Sequence, residues 1–340
     1  MTLATYGASG ISPRTNVYAA KKMLESADPV IVLDICADVK PIPRNRNQNV
    51  RFRRPRTLEA LTTPLVEGVT PSVTAFSFED VDGTLQQYGQ VLGISDQIAD
   101  THEDPVLMEM SEQAGKNMGR TFESLRWGVL RAGTNVFYTN GSSRAAVNTP
   151  ITLARQRNIC MALQAQYAEP ITKIIRGSVQ INTTPVEGGF VAFAHTNLGY
   201  DIRELPGFTP VAQYGNIRPL HPREIGAVED VRYILSPDLS PIAGAGAAVG
   251  SSGMRSAGGS NVDVYPILYT GMHAYGMCPL RGRNSMEPAI VPVERRDKND
   301  PLGQRGYVGW KSWFLCVRLN ELWMARLECG ATDAGTVTSS

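Results

Sequence analysis

No stretch of this sequence approaches the ~18 uninterrupted apolar residues that a membrane-spanning helix needs, which excludes a helical membrane span. The opening segment, MTLATYGASGISPRTNVYAAKKMLES, lacks the succession of basic, apolar and small-residue regions that marks a secretory leader, so it reads as cytoplasmic. Cysteine is scarce. The five residues Cys36, Cys160, Cys278, Cys316 and Cys329 stand singly, with no CxxC pair and an odd total. That argues against a disulfide framework and against a zinc site, and leaves buried thiols as the expectation. An excess of one charge is missing too: thirty-three Lys plus Arg against thirty-two Asp plus Glu leave a net charge of +1. Such a weak field does not hold nucleic acid or an acidic membrane, so any DNA contact is expected to be local and weak.

Signatures of catalysis are equally thin. The histidines His102, His195, His221 and His273 show no HExxH spacing and no cysteine at metal-ligand distance along the chain. His195, Asp201 and a cysteine could assemble a nucleophilic triad in space, but any chain with four histidines offers such combinations. There is no GxxxxGK[ST] phosphate loop and no GxSxG nucleophile elbow. GAGAAVG, Gly244 to Gly250, has GxGxxxG spacing within low complexity, which suits a loop better than a dinucleotide site. The Asn-x-Ser/Thr triplets at Asn140 and Asn182 would matter only in a secreted protein. No acidic cage for a metal is visible, so no catalytic residue, cofactor or metal is expected.

What is present is an ordinary folding chain of 340 residues, 42% hydrophobic and 19% charged, enough for one large or two modest domains. Residues 1–50 carry little periodicity, end in KPIPRNRNQN and read as an arm. Between 51 and 100, strand-like RFRRPRTLEAL and TLQQYGQVLGIS flank turn-rich PLVEGVTPS, which predicts a long two-stranded projection. An isolated strand pair is marginally stable in water, so the projection is expected to rest on a neighbouring subunit. The arginines Arg44, Arg46, Arg51, Arg53, Arg54 and Arg56 form the strongest charge cluster. A solvated stretch is the bland reading and phosphate contact an alternative, but their place at the root of the projection favours carboxylate partners on another subunit. Candidate interface residues are Arg51, Arg53, Arg54, Arg56, Glu67, Val69, Phe76, Phe78, Gln87 and Tyr88.

Leu107, Met110, Ala114, Met118, Phe122, Leu125 and Val129 recur at steps of three and four, which predicts one long helix within 101–135. Asp104 and Pro105 suit its start, and Gly133 suits a left-handed cap at its end. Residues 136–298 mix signals: ITLARQRNICMALQAQY as a helix, FVAFAH and VRYIL as buried strands. Within them, 241–260 is rich in Gly, Ala and Ser and reads as a flexible surface loop. In 299–330, SWFLCVRL and LWMARLE suggest a hairpin across Asn320-Glu321, and 331–340 reads as a loose tail. The fold class is α+β.

Six phrases in order, LTTPLVEGVTPS, LQQYGQVLGISDQIADTHEDPVL, LRWGVLRAGTNVFY, REIGAVEDVRYILSP, YPILYTGMHAYG and DPLGQRGYVGWKSWF with LNELWMARLE, carry a resemblance over most of the chain. It resembles the major capsid proteins of N4-like tailed bacteriophages, which have the Hong Kong 97 phage fold (HK97-like). The resemblance implies an N-terminal arm (1–50), an extended two-stranded E-loop (51–100), a spine helix of the peripheral domain (101–135), an axial domain (136–298) and returning peripheral strands (299–330). It further implies a structural subunit that forms hexamers and pentamers of an icosahedral head, assembled in the bacterial cytoplasm and residing in the virion. Implied partners are other copies of the chain, a portal protein, possible scaffolding and decoration proteins, and packaged double-stranded DNA, with no membrane. An encapsulin-like compartment shell of the same fold and a soluble hydrolase are the alternatives. Some capsids of this fold join neighbours covalently through an E-loop lysine and an asparagine, but residues 51–100 contain no lysine.

Overall fold

The computed structural model describes residues 31–43, 48–101, 106–171, 188–214, 219–281, 286–291, 293 and 301–333, apart from positions 57, 59, 61, 63, 65, 66, 69, 71, 72 and 251. Most of the expected arm therefore lies outside the described residues. Its last part does not behave as a loose arm. Val32 and Leu33 are fully buried and Cys36 is buried beside them. Strand β1 (Asp38–Val39) then pairs in parallel with β12 (Tyr275–Met277), and β2 (Ile42–Pro43) with β13 (Leu280–Arg281).

Strand β3 (Asn49–Pro55) pairs antiparallel with β4 (Phe78–Thr84) from Asn49 opposite Thr84 to Pro55 opposite Phe78. The projection is thus closed by FEDVDGT. TLQQYGQVLGIS, expected as its second strand, instead supplies β5 (Gln86–Ser95), which runs along the full length of β15 (Arg305–Phe314), itself flanked by β14 (Met286–Val291). Chemistry explains the exchange. Acidic β4 matches the arginines of β3 in register, whereas β5 has Tyr88 and Leu92 to lay beside Val308 and Trp310 against a helix.

That helix is α2 (Val106–Arg131), preceded by short α1 (Asp96–Thr101). Its 26 residues span about 39 Å at ~1.5 Å per residue. The expected start at Asp104 and Pro105 lies outside the described residues. Ala114, Met118 and Phe122 pack on Val308 and Trp310, while Trp127 and Leu130 enter a second core with Val32, Leu33, Phe193, Leu268 and Tyr275. One helix thereby joins two bodies. Gly133 does not adopt the left-handed conformation expected of it. It admits close approach instead, since a side-chain carbon there would lie 3.2 Å from Glu321 Oε2 and 3.4 Å from Met324 Cε.

The second body is a seven-stranded mixed sheet. Its order is β6 (Val136–Tyr138), β17 (Met324–Cys329), β11 (Tyr265–Thr270), β7 (Phe190–His195), β10 (Val231–Ser236), β9 (Glu224–Val228) and β8 (Phe208–Pro210). Phe190, Ala192 and Ala194 face a core shared with Ile159 and Leu163 of α3 (Leu153–Ala165) and Ile202 of α4 (Gly199–Arg203); Val191 and Phe193 face the end of α2. Strands buried on both faces read as continuous apolar runs, which is why FVAFAH and VRYIL were legible. Inside, the Tyr233 hydroxyl donates to Gln156 Oε1 at 2.7 Å, and the Gln156 amide donates to Val228 O at 2.8 Å.

Three further expectations are corrected. The hairpin across Asn320-Glu321 does not form: β15, β16 (Cys316–Arg318) and β17 enter three different sheets, β16 pairing with β12. Residues 299–330 consequently do not form one peripheral unit, because β17 lies inside the seven-stranded sheet between β6 and β11. The segment 241–260 is bonded in place, with the Gly246 amide to Val262 O at 2.9 Å and the Arg255 amide to Ala331 O at 2.8 Å. Buried Asp263 accepts from the amides of Gly244 and Ala257, each at 2.7 Å. Its glycines serve geometry, Gly244 with φ +58 and Gly246 beneath Val147 O. The expected tail lies mostly outside the described residues.

Candidate functional site

The β3–β4 hairpin has an inner and an outer face. Phe52, with Val50 and Val81 beside it, turns inward onto Leu85, Cys278 and Leu315. The root fits closely: a side-chain carbon on Gly83 would come 2.8 Å from Leu315 Cδ1, and one on Gly276 would come 2.9 Å from Phe52. On the outer face, Arg51 grips Asp82 through two bonds of 2.6 and 2.9 Å, and Arg53 grips Asp80 through bonds of 2.7 and 3.0 Å. Arg54 reaches Glu79 at 2.7 Å on the opposite face. Within the chain, Arg51, Arg53 and Arg54 each hold a carboxylate on the next strand, a pairing the expectation of partners on another subunit did not include. The arginine hydrogen bonds hold Asp80 and Asp82 below the usual carboxylate range. Exposed pairs of this kind add little individually, but three cross-strand pairs in register set the hairpin's alignment. The signal was in the sequence as Arg-x-Arg facing Asp-x-Asp.

Beyond the root, the Arg56 amide donates to Ser77 O at 3.0 Å, closing the ladder. Past that point the chain exposes apolar groups. Val73 is 96% exposed, Phe76 58% and Phe78 53%, with the two rings edge to face at 4.8 Å and Arg53 over the Phe78 ring at 5.3 Å. Glu67, in a turn with Gly68 at φ +80, is exposed, as are Arg56 and Gln87. Val69 lies outside the described residues. Tyr88 departs from the group: its ring packs in the α2 core, 6.2 Å from Phe314. Under the hairpin lies a cleft of about 1040 Å³, bounded by Phe52 and Arg54 on one side and Tyr167, His273, Leu322 and Trp323 on the other. Tyr167 and His273 both have positive φ, 56 and 59, and the His273 Nδ1 lies 2.7 Å from Asp38. The hairpin is thus anchored at its base and stands away from its own body further out.

The weighed catalytic constellation does not assemble. His195 Nδ1 accepts from the Asn197 amide at 3.0 Å, and Asp201 holds the Thr332 amide and hydroxyl. The Cys329 thiol donates to Tyr265 O, and burial pushes it well above its ordinary value. His102 and Asn182 lie outside the described residues, and Asn140 spends its amide on Ala146 O and Asn148. Among the described residues no cluster of His, Cys, Asp or Glu could hold a metal. No helix of the described residues is long and apolar enough to cross a membrane.

One functional group escaped sequence reasoning altogether. Glu123, fully buried on α2, accepts the amides of Val32 and Leu33 at 3.1 and 3.0 Å through Oε1, and Arg126 lies 3.4 Å from Oε2. Burial raises its carboxyl to about 7 against the opposing pull of Arg126 and the two amides. An acid on a helix with a basic residue three positions on looks like an ordinary surface pair.

A long helix crosses a three-stranded sheet, with a larger buried sheet at its far end and a hairpin anchored beside them. The chain matches the phage capsid protein family over residues 78–326. Solved phage capsids share the architecture. The capsid protein of Ralstonia phage GP4 has a TM-score of 0.66 at 13% identity over 92% of each chain. The head of Helicobacter pylori bacteriophage KHP40 gives a TM-score of 0.58 at 11% identity, covering 89% of this chain and 91% of that one. The capsid of cyanophage P-SCSP1u gives 0.56 at 13% identity, covering 97% and 93%. No curated protein sequence matches. This chain belongs to the phage capsid protein family and is a structural capsid subunit with a mixed α/β fold.

Proposed function

We propose that the chain is the major subunit of a phage head, forming hexamers and pentamers of a closed icosahedral shell around double-stranded DNA without catalysing a reaction. The observation that carries this is the hairpin: a root packed on its own chain beside an open cleft, then exposed Val73 and Phe76 beyond the end of the strand ladder. Apolar surface presented in this way gains free energy when a neighbour covers it. In this reading β3–β4 with residues 56–77 is the E-loop, α2 the spine helix, the sheet β14-β15-β5 the peripheral sheet and the seven-stranded sheet the axial domain. Portal, scaffolding and decoration proteins are the further partners. Repeated heterologous contacts closed by symmetry build the rings. Electron microscopy of concentrated full-length protein, or of its native particles, is expected to show closed shells with five- and six-fold rings. A species that stays monomeric or dimeric with scaffold and host factors present refutes it.

The shell is held noncovalently. The lysines nearest to residues 51–100 along the chain are Lys40, whose ammonium sits 5.1 Å over the Phe52 ring, and Lys116 on α2. Arginine stays protonated and does not replace lysine as an amine nucleophile. Disulfides are equally disfavoured, since burial pushes Cys36, Cys160 and Cys316 up to about 12. Particles boiled in detergent should run as one band near 37.0 kDa with and without reductant. A ladder that survives reductant would point to a crosslink from Lys40 or Lys116.

A further inference from the structure

Between α2 and the sheet β14-β15-β5 lies a pocket of about 230 Å³, separate from the cleft under the hairpin. Its polar lining is Gln90, Gln113, Lys116, Asn117, Arg120 and Trp310: two cations, three carboxamides, an indole and no carboxylate. Two of these groups are unsatisfied. Trp310 is only 4% exposed, and its Nε1 has no hydrogen-bond partner; neither has the shielded Oδ1 of Asn117. A buried donor without an acceptor is costly, and native structures rarely leave one without a use. The bordering acids are Asp238, 3.6 Å from Arg120 Nε, and Glu112, four residues before Lys116. Neither lines the pocket.

We propose that this pocket binds the sugar-phosphate backbone of packaged DNA, with a phosphate between Lys116 and Arg120. The proposal rests on the capsid reading and assigns a contact to it. Phosphate oxygens only accept hydrogen bonds, and the lining is rich in donors: the ammonium, the guanidinium, three carboxamide NH2 groups and the indole N–H. A seated phosphate supplies an oxygen to which the Trp310 N–H donates, and the Asn117 carboxamide turns so that its NH2 faces the anion. Gln113, Asn117 and Arg120 follow one another at i, i+4 and i+7, so donors run along one stripe of the helix. A chain of phosphates fits such a stripe better than a single side-chain carboxylate does. Readout of this kind ignores base sequence and is weak, as the chain's net charge of +1 requires. It turns this edge of α2 toward the interior of the shell.

The test uses full-length protein purified as unassembled subunits and a fluorescently labelled 20-base-pair duplex, with anisotropy read over a salt series. Removing two phosphate-contacting cations in K116A/R120A should weaken binding about tenfold at low salt and lower the slope of log affinity against log salt by about 1.8. Trp310→Phe keeps an aromatic ring but deletes the N–H; it should weaken binding severalfold and leave the slope unchanged. Unchanged affinity and slope in K116A/R120A overturn the site, whether or not Trp310→Phe folds. An oligoglutamate peptide that binds as tightly as DNA, and is lost in the same variant, overturns DNA in favour of an acidic protein segment. Shells are the separate readout: wild type and K116A/R120A should both close normally. Variant subunits that fail to close overturn the site by making it a subunit contact, while wild-type subunits that never close refute the capsid reading beneath it.

Discussion

Replacing residues 57–76 with a short Gly-Ser turn should leave the subunit folded and eliminate closed shells. The anchors of the hairpin among the described residues lie outside the deletion: the β3–β4 register, the arginine–carboxylate pairs and the Phe52, Leu85 and Leu315 cluster. The Arg56 amide already bonds Ser77 O, so a tight turn can bridge the gap there. What disappears is exposed surface, Val73 and Phe76 foremost. Surface changes of this type move stability by about 0.5 kcal/mol, and shortening a loop costs little. Thermal unfolding should therefore be nearly that of the intact chain, while electron microscopy of concentrated protein shows no shells. Normal shells would remove the E-loop assignment, and wholesale unfolding would show that 57–76 belongs to the core. A longer deletion reaching Gln86 would not be clean, because it takes out β4 and buried Leu85.

The parts of this molecule that could be read beforehand are those where one element dictates its own pattern. Helix α2 announces itself because its buried stripe lies at helical spacing, and β7 and β10 because both faces are apolar. Pairing between distant segments was not legible in the same way. Gln86–Ser95 is a strand in either arrangement, and nothing local says that its partner lies at Arg305–Phe314 instead of Arg51 to Leu61. The same limit produced the false hairpin at Asn320, where consecutive strands part into different sheets. Composition misled for 241–260, where glycine serves turns and close backbone approach and the order comes from Asp263, Val262 and Ala331. Arg51, Arg53 and Arg54 stand out in the sequence as a charge cluster, but the strand that carries their carboxylates in this chain does not. Asp80 and Asp82 lie in the same window with the same i, i+2 spacing, and a register argument would have found them.

Substituting Glu123 should expose how the start of the described chain is held to α2. Glu123→Ala leaves Arg126 buried without its carboxylate and the amides of Val32 and Leu33 without an acceptor, and breaking a buried pair in this way costs about 3–5 kcal/mol. Glu123→Gln is more informative, since its amide oxygen can still accept both N–H groups. The wild-type carboxyl is raised from 4.5 to about 7 by burial, with Asp34 adding to the shift and Arg126 and the two amides opposing it. The folded state then binds the proton more tightly than the unfolded state does. Its contribution to stability is fully present below about pH 4.5, declines as pH rises toward 7 and is lost above. Glutamine does not titrate, so the wild type should lose stability relative to Glu123→Gln across that window and run parallel to it on either side. Thermal unfolding of unassembled subunits between pH 4 and pH 8 measures the difference, and hydrogen exchange at Val32 and Leu33 locates it. A constant difference across the range would mean that the carboxyl titrates as it does in the unfolded chain. A wild type that gains on glutamine as pH rises would mean that Arg126 outweighs burial, making the contact a charged clamp instead of one that acid strengthens.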